Sequence, residues 1–175
     1  QAFLHHSKLD RVPLGYDANA GIDARLKQHF GLAPDDGDGL RLALGVDHRS
    51  IGPRYTGPNL HVEVPGLRVD SQWGFRLKYM KHPTGGYWEY VDPPLAEADV
   101  EQITAWPMPN PDDFDYSQIP DQVKRYEGFG LYTGSPGLGD IINTTGFLFG
   151  MERTLMDLAL DEPSFDIFTQ RRHAV

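Results

Sequence analysis

Apolar positions change their spacing several times along the chain, and each change predicts an element. Residues 1–9 read as the end of a helix, and the short apolar run "RVPLGY" (11–16) as a buried strand. The segment "NAGIDARLKQHFG" (19–31) predicts a helix: Asn19 can cap it, Ile22, Leu26, His29 and Phe30 share one face, and Gly31 closes it. A turn-rich acidic loop, "LAPDDGDG", leads to a second short helix near 37–44. The segment 46–58 reads as a strand that ends in a proline and glycine turn. Alternation about Pro65-Gly66 predicts a hairpin over 60–69. A second hairpin is expected over 74–91, with arms "GFRLKYM" and "GYWEYV" and the turn "KHPTG".

Beyond residue 91 the pattern changes. A short helix is expected near 99–104, before Pro107, Pro109 and Pro111, which forbid helix and favour an extended path. Helix resumes near 118–126. The stretch "FGLYTGSPGLGDIINTTGFLFGMERTLMDLALDEP" (129–163) reads as a short strand, a glycine-rich turn and a long apolar run, and a last helix starts near Pro163. Helices alternating with short strands predict an α/β fold with a mostly parallel sheet of three or four core strands and inserted hairpins. Residues 1–175 are long enough for one domain with a core.

Composition alters this picture little. Hydrophobic residues make up 39% and charged residues 23%, as in ordinary globular chains, while 19 glycines and 14 prolines point to many turns. The net charge of −9 argues against nucleic acid as a partner, since phosphate binding needs a basic face. No apolar run reaches the roughly 20 residues of a membrane span. The opening "QAFLHHSKLDR" lacks a basic leader followed by an apolar core, so the expected location is cytoplasmic. The absence of cysteine removes disulfides and thiolate metal ligands from this chain.

Several patterns could carry chemistry. Gly134, Gly137 and Gly139 follow a strand and precede a helix, but Asp140-Ile141 stands where a phosphate loop needs Lys and Ser or Thr. The seven histidines include no H-x-x-x-H pair, and the acidic loops 34–39 and 110–116 lack calcium-loop spacing, so no metal is expected here. In parallel α/β folds, sites gather at the carboxyl ends of strands. That rule selects Asp17 and Asn19 after the first strand, Asp47, Arg49, Arg54 and Tyr55 beside the second, and Ser135, Asp140 and Asn143 after "FGLYTG". For Asn19 and Asp140, helix capping is an equal alternative.

The order of segments resembles the uroporphyrinogen decarboxylase superfamily, which also contains corrinoid- and coenzyme-dependent methyltransferases. "DRVPLGY" is similar to that family's first strand and "ALGVDHRSIGPRY" to its second unit. "DSQWGF" and "DPPLAEADVEQITAWPMPNPDD" resemble segments of the methyltransferase-like branch, and "GSPG" with "GFLFGMERTLMDLALDEPSF" its strand, loop and helix unit. The resemblance implies a (β/α)₈ barrel of which this chain is the amino-terminal half, completed by a carboxyl-terminal half or by a second copy.

Two activities follow from the resemblance. Decarboxylases of the family carry an arginine-rich segment by the first strand; "GYDANAGID" stands there instead. Their Asp near the second strand and their later Tyr fall near Arg54 and near Ile142-Asn143. The branch implied is therefore methyl transfer involving a corrinoid or thiol acceptor, with zinc thiolates in the carboxyl-terminal half. Tetrapyrrole decarboxylation, which needs no cofactor, is the alternative, and a non-catalytic fragment or binding module the third. Asp17, Asp47 and Arg54 are the expected polar contacts to a small-molecule, tetrapyrrole or corrinoid ligand, with Tyr55 and Trp73 as pocket walls.

Overall fold

The computed structural model describes Lys8, residues 11–83, 85–134 and 141–175, excepting the Ile141 side chain. In chain order the helices are α1 (Ala20–His29), α2 (Gly37–Ala43), α3 (Val100–Ala105), α4 (Ile119–Arg125), α5 (Ile141–Phe149), α6 (Met151–Leu160) and α7 (Pro163–His173). The strands are β1 (His48–Ser50), β2 (Arg54–Tyr55), β3 (Arg68–Val69), β4 (Arg76–His82), β5 (Gly85–Tyr90), β6 (Phe114–Asp115) and β7 (Gly130–Tyr132). They form three small sheets, β1-β7, β2-β6 and β3-β4-β5. The class is mixed α/β, and no closed barrel forms among the described residues. Two compact units emerge: residues 1–52, 80–87 and 117–134, and residues 53–79, 88–116 and 135–175.

In the first unit, β1 and β7 run parallel, with His48 opposite Gly130 and Ser50 opposite Tyr132. Gly130 sits so close to the His48 ring that a β-carbon there would lie 2.8 Å from it, so a larger residue would make that ring shift. The predicted strand 11–16 is not a strand. It does lie beside β1, since the Asp47 amide donates to the Leu14 carbonyl at 2.9 Å. The predicted cap holds: Asn19 Oδ1 accepts the Ile22 amide at 3.0 Å. Gly31, at φ +67°, reverses the chain after α1, and the Leu32 amide returns to the Lys27 carbonyl at 2.9 Å. This pair, with Gly31 donating to Gln28, satisfies the last carbonyls of the helix. Gln122 of α4 exchanges two hydrogen bonds with the Gly52 backbone, at 2.9 and 3.0 Å, fixing α4 to the end of β1.

The second unit holds the larger core. Leu95, Ile103, Leu148, Phe149 and Phe168 are buried together, with Phe75, Ala98, Trp106 and Met108 packed on them. Phe149 and Phe168 meet edge to face with ring centroids 5.0 Å apart. α3 starts at a capping box in which Asp99 and Gln102 satisfy each other's amides. The long apolar run divides into α5 and α6 at Gly150, whose φ of +82° no helix admits. Arg153 anchors α6 by donating to the Leu95 and Ala96 carbonyls at 2.7 and 2.9 Å.

Three further expectations need correction. The 46–58 strand is two pieces with different partners, β1 parallel to β7 and β2 antiparallel to β6. Residues 60–69 make the turn, with Leu67 bonded back to Val64, but not the hairpin, because β3 pairs with β4 instead. The sheet is not mostly parallel, since the described registers of β2-β6 and β3-β4 are antiparallel. The expected second hairpin exists as β4 and β5.

Candidate functional site

A cluster of polar and aromatic groups among the described residues of the second unit is built on the loop "DSQWGF". Asp70 folds that loop: its Oδ1 accepts the Gln72 and Trp73 amides at 3.1 and 2.7 Å. Its own backbone closes the turn through Phe75 and Gly74, at 2.8 and 3.1 Å. Asp70 Oδ2 has no partner among the described residues. The loop needs a glycine at position 74. Its φ is +82°, and a β-carbon would lie 2.7 Å from the Trp106 ring and 2.8 Å from His61 Nδ1.

His61 and Trp106 close the loop from outside, with ring centroids 4.9 Å apart. Trp106 Nε1 donates to the Trp73 carbonyl at 3.1 Å. His61 Nε2 lies 3.2 Å from the Gln72 carbonyl, which can only accept, so Nε2 carries the proton of the neutral ring. Burial pushes the His61 pKa below its ordinary value, against the opposing pull of the Gln72 carbonyl and Asp70. α7 supplies two cations. Arg171 donates to the Ile103 and Trp106 carbonyls at 2.8 and 2.7 Å. Arg172 lies over the Trp73 ring, 5.4 Å from its centroid, and donates to the Thr144 hydroxyl.

Two tyrosines feel the same carboxylate. Burial raises the pKa of Tyr90, and Asp70 raises it further. Tyr90 stacks face to face on Phe147 at 3.5 Å. Tyr55 is raised by burial, then by Asp113 and Asp70, and its hydroxyl donates to the Pro58 carbonyl at 2.7 Å. Both phenols therefore stay protonated at neutral pH and serve as donors rather than bases. The arrangement offers aromatic walls, one carboxylate oxygen and a guanidinium over a ring. Such a set binds a flat, largely apolar molecule with a few polar edges.

The sequence-selected residues divide between the units. In the first, Asn19 caps α1, and Asp17 is exposed just before it. Asp47 accepts the Leu14 amide at 2.8 Å and both terminal nitrogens of Arg11 at 2.7 Å. The Leu14 amide, then Arg11, hold its pKa below the ordinary carboxylate value. Those bonds commit its oxygens to tying residues 11–14 onto β1. Arg49 is buried, donates to the Val46 and His48 carbonyls, and lies 4.0 Å over the Phe129 ring.

In the second unit, Trp73 and Tyr55 belong to the Asp70 cluster. Arg54 pairs with Asp115 across β2 and β6 at 3.8 Å and is mostly exposed. Asn143 lies half-buried in α5. Ser135 and Asp140, like Gly137 and Gly139, lie outside the described residues.

Sequence reasoning missed Asp70, His61, Tyr90 and Arg172. Asp70 was legible inside "DSQWGF", because an Asp two and three residues before amides it can accept is a turn signal. The other three are brought in from distant segments and left no local signal.

Among the described residues no group of three or more His, Asp or Glu side chains is placed to hold a metal. No helix among them is long and apolar enough to cross a membrane. No protein-family model, curated protein or solved structure matches the chain.

Proposed function

We propose that this chain is the amino-terminal half of a barrel enzyme of the uroporphyrinogen decarboxylase superfamily, of the methyltransferase-like branch. Its reaction is methyl transfer to or from a corrinoid or thiol acceptor. One observation carries the reading beyond the sequence resemblance. Residues 11–16, read as the first family strand, lie beside β1 without forming a strand, through the Asp47 amide and the Leu14 carbonyl, and β1, the first piece of the segment 46–58, pairs in parallel with β7. A parallel pair with an earlier segment laid beside it supports the reading, since such a barrel is built from parallel neighbours.

Within the second unit, taken by itself, the Asp70 cluster is the proposed ligand surface. Trp73 and Tyr90, each with one ring face already covered by Arg172 and Phe147, would contribute what apolar surface remains to a macrocycle or an alkyl thiol. Asp70 Oδ2 accepts a hydrogen bond from the bound molecule. The described residues do not fit a zinc site, because they contain no thiolate and no three-ligand group, so no step is assigned to zinc in this chain. Zinc would be held by the carboxyl-terminal half.

The test assays the protein with its carboxyl-terminal half in place. Methylcob(III)alamin with a thiol, and uroporphyrinogen, are offered in parallel. Methyl transfer to the thiol with bound zinc is the expected result. Carbon dioxide release from uroporphyrinogen would move the protein to the decarboxylases, and turnover of neither would leave a binding module.

A further inference from the structure

A cleft in the first unit lies apart from the residues used above. It is about 450 Å³ in volume and lined by Ala20, Asp23, Ala24, Lys27, Leu32 and Pro34, with Gln28 at its rim. Its shape follows from the end of α1. Gly31 reverses the chain, and the Leu32 amide bonds back to Lys27, folding residues 32–34 against the helix. Lys27 Nζ locks the fold-back by donating to the Pro34 carbonyl at 3.0 Å. It also pairs with Asp23 at 2.6 Å, although its side chain is only 11% exposed.

An ammonium has three protons. Asp23 and the Pro34 carbonyl take two, and no further partner of Lys27 exists among the described residues. Asp23 is held from its other oxygen by the Tyr16 hydroxyl at 3.1 Å. The Lys27 partner, then the Tyr16 hydroxyl, keep its carboxyl ionised below its ordinary range against the cost of burial. The pair is therefore neutral overall. The cleft combines alanine, leucine and proline walls with one uncommitted donor and little net charge, in a chain of net charge −9. A full anion gains little there, whereas a neutral acceptor keeps its whole hydrogen bond.

We propose that this cleft binds a small neutral molecule with an apolar body and a carbonyl oxygen, and that Lys27 donates to that oxygen. This site is independent of the barrel reading. The experiment is an amide chemical-shift titration of the 175-residue chain with N-methylpyrrolidone, and separately with hexanoate. Saturable shifts at Ala20, Ala24, Gln28 and Leu32, with a dissociation constant in about the millimolar range, are expected for the neutral probe.

Ala24→Leu, which fills the cleft and leaves the ion pair intact, should remove those shifts. Lys27→Met should weaken binding by about tenfold. Should Lys27→Met fail to fold, Ala24→Leu decides alone. No saturable shift in the parent chain, unchanged shifts in Ala24→Leu, or tighter binding of hexanoate would overturn the proposal.

Discussion

At the scale of single residues, Gly74 and His61 decide whether the Asp70 loop holds its shape. Gly74→Ala places a methyl against Trp106 and His61 at a backbone angle of +82°. Strain and overpacking together should cost about 2–5 kcal/mol, read by denaturant unfolding. His61 gives the loop a pH dependence. Its folded pKa is below the ordinary 6.5, so on acidification the unfolded chain takes up the proton first. The contribution of neutral His61 is complete above 6.5 and is lost as pH falls through 6.5 towards the folded value. Asp23 and Asp47 are lowered from 3.8 and act only in stronger acid. The thermal midpoint should therefore drop as pH falls below 6.5, and His61→Phe should flatten that drop. An equal drop in the variant would remove His61 from the explanation.

At the scale of elements, Asn19 separates a structural role from a functional one. Its side chain already accepts the Ile22 amide. Asn19→Ala should cost about 1 kcal/mol in thermal or denaturant unfolding and leave ligand binding unchanged. A binding defect without loss of stability would return Asn19 to the site. The same element shows what the sequence made legible. The cap and the closing glycine of α1 are local signals, and both are present, whereas the expected apolar face is not buried: Ile22 and Phe30 are exposed. α3, α4 and α7 also lie where local pattern placed them.

Failures came where pairing is non-local. The alternation of 60–64 has no partner strand, and β3 joins β4 across a turn that alternation does not register. The site was half legible for the same reason. Trp73 and Tyr55 sit in readable motifs, whereas Arg172 reaches Trp73 from a helix about a hundred positions later in sequence.

At the scale of the whole molecule, the two units differ in how much apolar surface they enclose. Among the described residues, the first buries Leu40 and Val46; the second buries Leu95, Ile103, Leu148, Phe149, Phe165 and Phe168. Amide hydrogens of α3, α5 and α7 should thus exchange more slowly than those of α1 and α2, as native-state exchange would record. Phe168→Ala should cost about 3–5 kcal/mol, because it empties the centre of the larger core.

We propose that segments 11–16, β1 and β7 of the first unit begin a methyltransferase-like barrel, and that the Asp70 cluster of the second unit is by itself a ligand surface. The most direct measurement follows the visible spectrum of methylcob(III)alamin mixed with a thiol and the protein carrying its carboxyl-terminal half. Loss of the methyl-corrinoid band with formation of the thioether, slowed by Trp73→Ala, is the predicted result. A spectrum that stays unchanged while the protein is folded and zinc-loaded would contradict it.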